Sequence, residues 1–156
     1  MAMAAFSDLL TMTIPNRVSV VLLASFFAIA PFAGLTLHDM ALHLLAGAIV
    51  FGICFALFAL HIMGGGDAKI MTASAVWFGF NPTLMQYVAY ISVLGGLLSL
   101  VVVMIRANHD TILASRIPVP ATMLHAKKVP YGVAIGAAAL LAFPASPLAQ
   151  AAIAGL

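Results

Sequence analysis

The sequence predicts an all-α fold, a polytopic transmembrane helical bundle, and three observations carry that expectation. The chain of 156 residues is 65% apolar and only 6% charged, with a mean hydropathy of +1.20. A soluble domain is typically about a quarter charged. Its apolar residues come in runs long enough for a bilayer core of about 30 Å, which needs roughly 20 helical residues. No acidic residue falls in the middle of any of these runs.

Four long runs stand out: 18–37, with Pro31 as a kink; 41–63; 84–105; and 131–156, weaker and broken near Pro144 and Pro147. A shorter segment, 68–82, is read as a short crossing helix, with a re-entrant hairpin as the alternative. The six basic residues test that choice. If 68–82 crosses, Arg17, Lys69, Arg106, Arg116, Lys127 and Lys128 all fall on one side, which the positive-inside rule makes cytoplasmic. Residues 106–130, with three prolines and four basic residues, then form a cytoplasmic loop near anionic headgroups. The whole of 1–156 is one membrane-embedded domain, multi-pass, in contact with lipid throughout. The first eight residues have no basic n-region and already contain a charge, so no cleavable signal is expected.

Composition also excludes function classes. A net charge of +2 is too small for a nucleic-acid surface, and a lone cysteine, Cys54, rules out an internal disulfide or a Cys-x-x-Cys site. Cys54 reads as a small buried residue. His43 and His61, 18 residues apart, would lie about 27 Å apart on one helix, too far to share a metal. No metal or organic cofactor is called for. Trp77, Phe78 and Phe80 read as an interfacial aromatic belt, Asp39 and Asp110 as solvated loop residues, and Gly95–Gly96 as a close-packing site.

The stretch "HIMGGGDAKIMTASAVWFG" (61–79) is harder to explain, because a carboxylate beside an apolar run is costly. Gly64, Gly65 and Gly66 remove side-chain bulk, permit positive φ and let another segment approach closely. Asp67 is then either a helix N-cap at the membrane surface or a working carboxylate. Asp8 precedes "LLTMTIPN", where Pro15 forces Ile14 out of helix and Asn16 is placed to cap the next one. Two carboxylates brought together share a proton: one ionised to take a proton from water, one protonated to polarise a peptide carbonyl.

Together, "SDLLTMTIPN" (7–16) and "GGGDAKIMTASAVWFG" (64–79) resemble the prepilin peptidase (type IV leader peptidase) family of G-x-G-D intramembrane aspartyl proteases. More narrowly, they are similar to its small form serving Flp-type tight-adherence pili. "KVPYGVAIG" (128–136) resembles that family's last-helix opening. The resemblance implies that Asp8 and Asp67 are the catalytic pair, with Gly64–Gly66 as active-site backbone and Lys69 and Asn16 in support. It implies a bacterial inner-membrane enzyme that cuts prepilins at the cytoplasmic face and works beside other pilus-assembly proteins. The cytoplasmic domain and cysteine pairs of larger members are absent from the sequence, so no methyltransferase activity is expected. Family members usually carry a full helix before the first aspartate. Here seven residues precede Asp8, and they are expected to fray. The competing readings are an inactive scaffold of pilus assembly and a small transporter subunit using its acids as a proton relay.

Overall fold

The computed structural model describes residues 1–109, 120–125 and 129–154. Asp110, Arg116, Lys127 and Lys128, and with them most of the 106–130 loop, lie outside the described residues. Among the described residues every regular element is helical.

Helix α1 (Ala2–Thr11) stops at Met12, which takes a left-handed conformation and donates its N–H to the Asp8 carbonyl. Ser7 Oγ donates to the Thr13 carbonyl at 2.7 Å and closes the turn. Ile14 is outside any helix, and Pro15, itself extended, is the N-cap of α2 (Asn16–Ile29). The span expected over 18–37 is cut short, because Pro31 lies in the turn that follows α2 rather than kinking a longer helix. Its missing N–H and its ring both oppose continuation. Fourteen residues give α2 about 21 Å, short of a bilayer core.

Helix α3 (Leu37–Ala59) opens with a capping box: Thr36 Oγ1 accepts from the Asp39 N–H, and the Asp39 carboxylate accepts from the Thr36 N–H at 3.0 Å. Asp39 therefore belongs to a helix start and not to a solvated loop. The helix ends four residues before Met63, and His61 sits in the following turn with φ 59°. His43 and His61 thus do not share a helix.

Helix α4 (Gly65–Phe78) is one continuous helix, so 68–82 forms no hairpin. It runs through the middle of the bundle, packed most extensively on α3 and then on α2, with Ala68, Ile70, Ala73, Ser74, Ala75, Val76 and Phe78 all buried. Polar groups pin it there. His43 Nδ1 donates to the Val76 carbonyl at 2.6 Å, and Trp77 Nε1 donates to the Leu22 carbonyl at 3.0 Å. The Ser74 and Tyr87 hydroxyls share a hydrogen bond at 2.6 Å, and Phe78 stacks on Tyr87 at 4.4 Å. These buried hydroxyls and ring nitrogens are thus satisfied inside an apolar core, whereas the Thr72 hydroxyl of the same helix is buried without a partner among the described residues. Phe78 is a core residue and Trp77 is half-buried against the core, so the three do not form an exposed belt; only Phe80 is exposed.

Helix α5 (Pro82–Ala107) starts at Asn81, whose side chain caps the Thr83 N–H at 2.8 Å, with Pro82 in the first position. A short α6 (Ala121–His125) follows, then α7 (Tyr131–Ala142), a 3₁₀ turn at Phe143–Ala145, and α8 (Pro147–Ala154). Helix α7 packs on α5 and α1. Among the described residues α3 and α5 are long and apolar enough to cross a membrane, and α7 with α8, bent by 47° at the expected break, forms a third candidate. Cys54 is buried as expected.

Candidate active site

Ala4 and Asp8 lie one turn apart on α1, and both are buried. The partner face is on α7, where Gly132 and Gly136 have the same spacing. A methyl group on Gly136 would lie 3.1 Å from Ala5 Cβ, and one on Gly132 would lie 2.8 Å from both Cβ and Oδ2 of Asp8. Small residues on both sides let the helices close up. Fraying of the chain start is therefore not what the structure shows: α1 is a formed helix held against α7.

Gly132 is the second residue of α7, where an amide N–H has no acceptor in its own helix. It donates to Asp8 Oδ2 at 2.7 Å. Burial pushes the Asp8 carboxyl above the usual carboxylate range, and the Gly132 amide, a smaller effect, pulls it back.

Asp67 is the third residue of α4, whose N-cap is Gly64, so Asp67 does not cap the helix. Its carboxylate belongs to the first turn, where free N–H groups and the helix dipole favour negative charge. The glycines serve close approach and not backbone reversal. None of Gly64, Gly65 and Gly66 has positive φ, and the bend is taken by His61. A methyl on Gly64 would lie 3.0 Å from Asp67 Oδ2, and one on Gly65 would lie 3.2 Å from the Phe58 ring.

The segment that approaches Gly66 is the residue before Pro15. A methyl on Gly66 would lie 3.3 Å from Ile14 Cβ, and one on Gly132 would lie 2.9 Å from Ile14 Cδ1. Ile14 thus bridges the glycine that precedes Asp67 and the glycine that binds Asp8. A second tie runs beside it: Lys69 Nζ donates to Asn16 Oδ1 at 3.0 Å. Asn16, expected to cap α2, instead links the start of α2 to α4.

Asp67 lines a cavity of about 630 Å³, together with His61, Gly64 and Met71, the Val88–Gly96 face of α5, and Tyr131 and Ile135 of α7. Asp8 is not in this lining. It is held one residue along from the wall, by Gly132 next to Tyr131. Gly95 is a packing site, since a methyl there would lie 2.8 Å from Tyr131 Cε1, but Gly96 meets nothing within 4 Å and opens onto the cavity. The residues that sequence reasoning missed are Ile14, Tyr131 and Gly132. Pro130, which N-caps α7, was the available signal that a helix N-terminus would point somewhere.

The fold and this site define an apolar helical protein in which Asp67, in the first turn of α4, and Asp8, near the end of α1 and bound by the start of α7, lie at one end of the bundle. The family model described as "Type IV leader peptidase family" matches residues 1–103, which include Asp8 and Asp67, and the chain belongs to that family. It is therefore a leader peptidase by family, and the family acts on prepilins. Comparison with curated proteins and with solved structures gives no match.

Proposed function

We propose that the chain is an aspartic endopeptidase that removes the leader from Flp-type prepilins at the cytoplasmic face of the bacterial inner membrane. The observation that carries this is the Ile14 junction, which joins the helix start bearing Asp67 to the helix start that binds Asp8. In this reading Asp67, half-buried on the cavity wall beside the positive end of α4, is the ionised member and takes a proton from the attacking water. Asp8, whose protonated form is favoured by burial, donates its proton toward the carbonyl oxygen of the scissile peptide and stabilises the tetrahedral intermediate. Collapse of that intermediate returns a proton to the leaving amine. No nucleophilic side chain takes part.

The test is substitution of each acid by the amide of the same shape. Asp8→Asn and Asp67→Asn should each lower prepilin cleavage by roughly a thousandfold or more, and the double variant should be no worse than either single one. Asp39→Asn, at the other end of α3, should cleave normally. Processing that survives Asp67→Asn would remove the protease reading and leave a scaffold of pilus assembly.

A further inference from the structure

We infer that the cleft between α4, α5 and α7 is the berth of the substrate's apolar helix, which lies lengthwise along α5 with its scissile end at Asp67. The inference rests on the catalytic reading of Asp67 and adds the route and the contact residues. Helices α4 and α5 are clamped at one end by the Ser74–Tyr87 hydrogen bond and the Phe78–Tyr87 stack. Toward the other end the cavity lies between them, with Asp67 and Met71 on one wall and Val88, Ile91, Ser92 and Gly96 on the other. From Val88 to Gly96 the α5 wall is about 12 Å long at 1.5 Å per residue.

The polarity of the cleft changes along its length. At the Asp67 end stand a carboxylate and His61. Below it the walls are Met71, Val88, Ile91 and Ile135. The one hydroxyl on that part of the wall, Ser92 Oγ, is already donated to the Val88 carbonyl at 3.0 Å. An occupant of this lower part finds no partners for its peptide groups, so it must satisfy them internally, as a helix does in a membrane. At the Asp67 end an extended, polar segment is accommodated instead. The matching occupant is a chain that passes from a polar segment into an apolar helix, and a leader joined to a pilin helix has that form. Gly96 faces the cleft with open space before it, beside the Gly95–Tyr131 contact at the Asp67 end, where the occupant passes from leader into helix.

The proposal is tested with a prepilin that the unaltered chain processes. A photoreactive benzoylphenylalanine is placed at Gly96 in the Asp67→Asn chain, in membranes, and a second chain carries it at Gly52. Gly52 also has nothing within 4 Å but lies outside the cleft. Crosslinking to the prepilin at the junction of its leader and apolar helix from position 96, and not from position 52, is expected. In the catalytically intact chain, Gly96→Leu should raise KM about tenfold or more with kcat less affected, and Gly52→Leu should change neither. Crosslinks to lipid alone from position 96, or unimpaired cleavage by Gly96→Leu, would overturn the berth. The two failures are separable. Cleavage that survives Asp67→Asn sinks the catalytic reading, whereas its loss in Asp67→Asn beside an indifferent Gly96→Leu sinks only the berth.

Discussion

The Gly132 amide donates to Asp8 Oδ2 at 2.7 Å, and the same glycine leaves no room for a side chain above that carboxylate. One residue thus supplies both a hydrogen bond and a vacancy. Gly132→Ala should displace Asp8, since a methyl would meet its Cβ and Oδ2 at 2.8 Å and Ile14 Cδ1 at 2.9 Å. Overpacking of this kind costs about 1–3 kcal/mol. Prepilin cleavage should fall by more than tenfold while the protein still inserts, and a cleavage assay at matched membrane levels checks it. Full activity in Gly132→Ala would show that Asp8 does not need this position.

Burial of Asp8 makes a stability prediction with a definite sign. A carboxyl whose folded-state pKa is raised binds its proton more tightly in the folded chain. Between the ordinary value of about 3.9 and the raised one, the folded state holds more protons, so stability falls as pH rises through that window. Asn carries no charge and its oxygen still accepts from Gly132. Asp8→Asn should therefore melt above the unaltered chain at neutral pH, with the difference closing as pH falls toward 4. Thermal unfolding in detergent at pH 4 and pH 7 measures it. Equal Tm shifts at both pH values would contradict the burial effect.

The helices were legible from hydropathy because long apolar runs leave few other folds, and α3, α5 and the break near Pro144 and Pro147 follow that pattern. The length of α2 was not legible. Pro31 is compatible with either a kink or a stop, and the choice belongs to the turn closed by Gly34, with φ 74°. At the site, Asp8 and Asp67 were visible as carboxylates out of place in an apolar chain. The contact that joins them was not, because Ile14 looks like any apolar residue and Gly132 lies more than 120 positions from the acid it binds. Trp77 and Phe78 misled for a related reason. An aromatic near the end of a hydrophobic run fits either an interface or a core, and only the packing on Phe26 and Tyr87 decides.

The Lys69–Asn16 tie is exposed, so its worth should be small. Lys69→Ala and Asn16→Ala should each cost about 0.5–1.5 kcal/mol of stability or less, and the double variant should cost little more than one of them. A double-mutant cycle on unfolding free energy measures the coupling. Strict additivity would mean that the 3.0 Å contact carries no energy.

Gly79 is the glycine whose backbone needs it most. Its φ of 70° and ψ of 178° lie in a region reserved almost wholly for glycine, and a methyl there would meet His43 Nε2 at 2.8 Å. Gly79→Ala should destabilise by about 2 kcal/mol or more, combining backbone strain with the clash. Gly96→Ala, in open space, should leave Tm unchanged or raised. A Gly79→Ala chain as stable as the parent would mean that the α4–α5 turn rearranges freely.

The orientation proposed for the membrane makes a prediction from where the charges gather. Arg17 lies in the first turn of α2 next to Asn16, which accepts from Lys69, two residues after Asp67 on α4; Arg106 lies in the last turn of α5, its Nε donating to the Met123 carbonyl of α6. Helix α6 is in turn tied to α1 by the Thr122 hydroxyl, which donates to the Leu9 carbonyl. The described basic residues therefore share one end of the bundle. The opposite end carries the α2–α3 turn, Asp39 and Asn81 around a second, smaller cavity. Short loops rich in Lys and Arg are retained in the cytoplasm, so cleavage from the cytoplasmic face, as proposed, predicts the two carboxylates there and the α2–α3 turn outside. Cysteine labelling in intact cells tests this after Cys54→Ser. Phe32→Cys, at a residue 93% exposed in that turn, should react with a membrane-impermeant maleimide from outside. Arg17→Cys should react only after the cells are opened. The reverse pattern would place the carboxylates on the outer face and rule out cleavage from the cytoplasm.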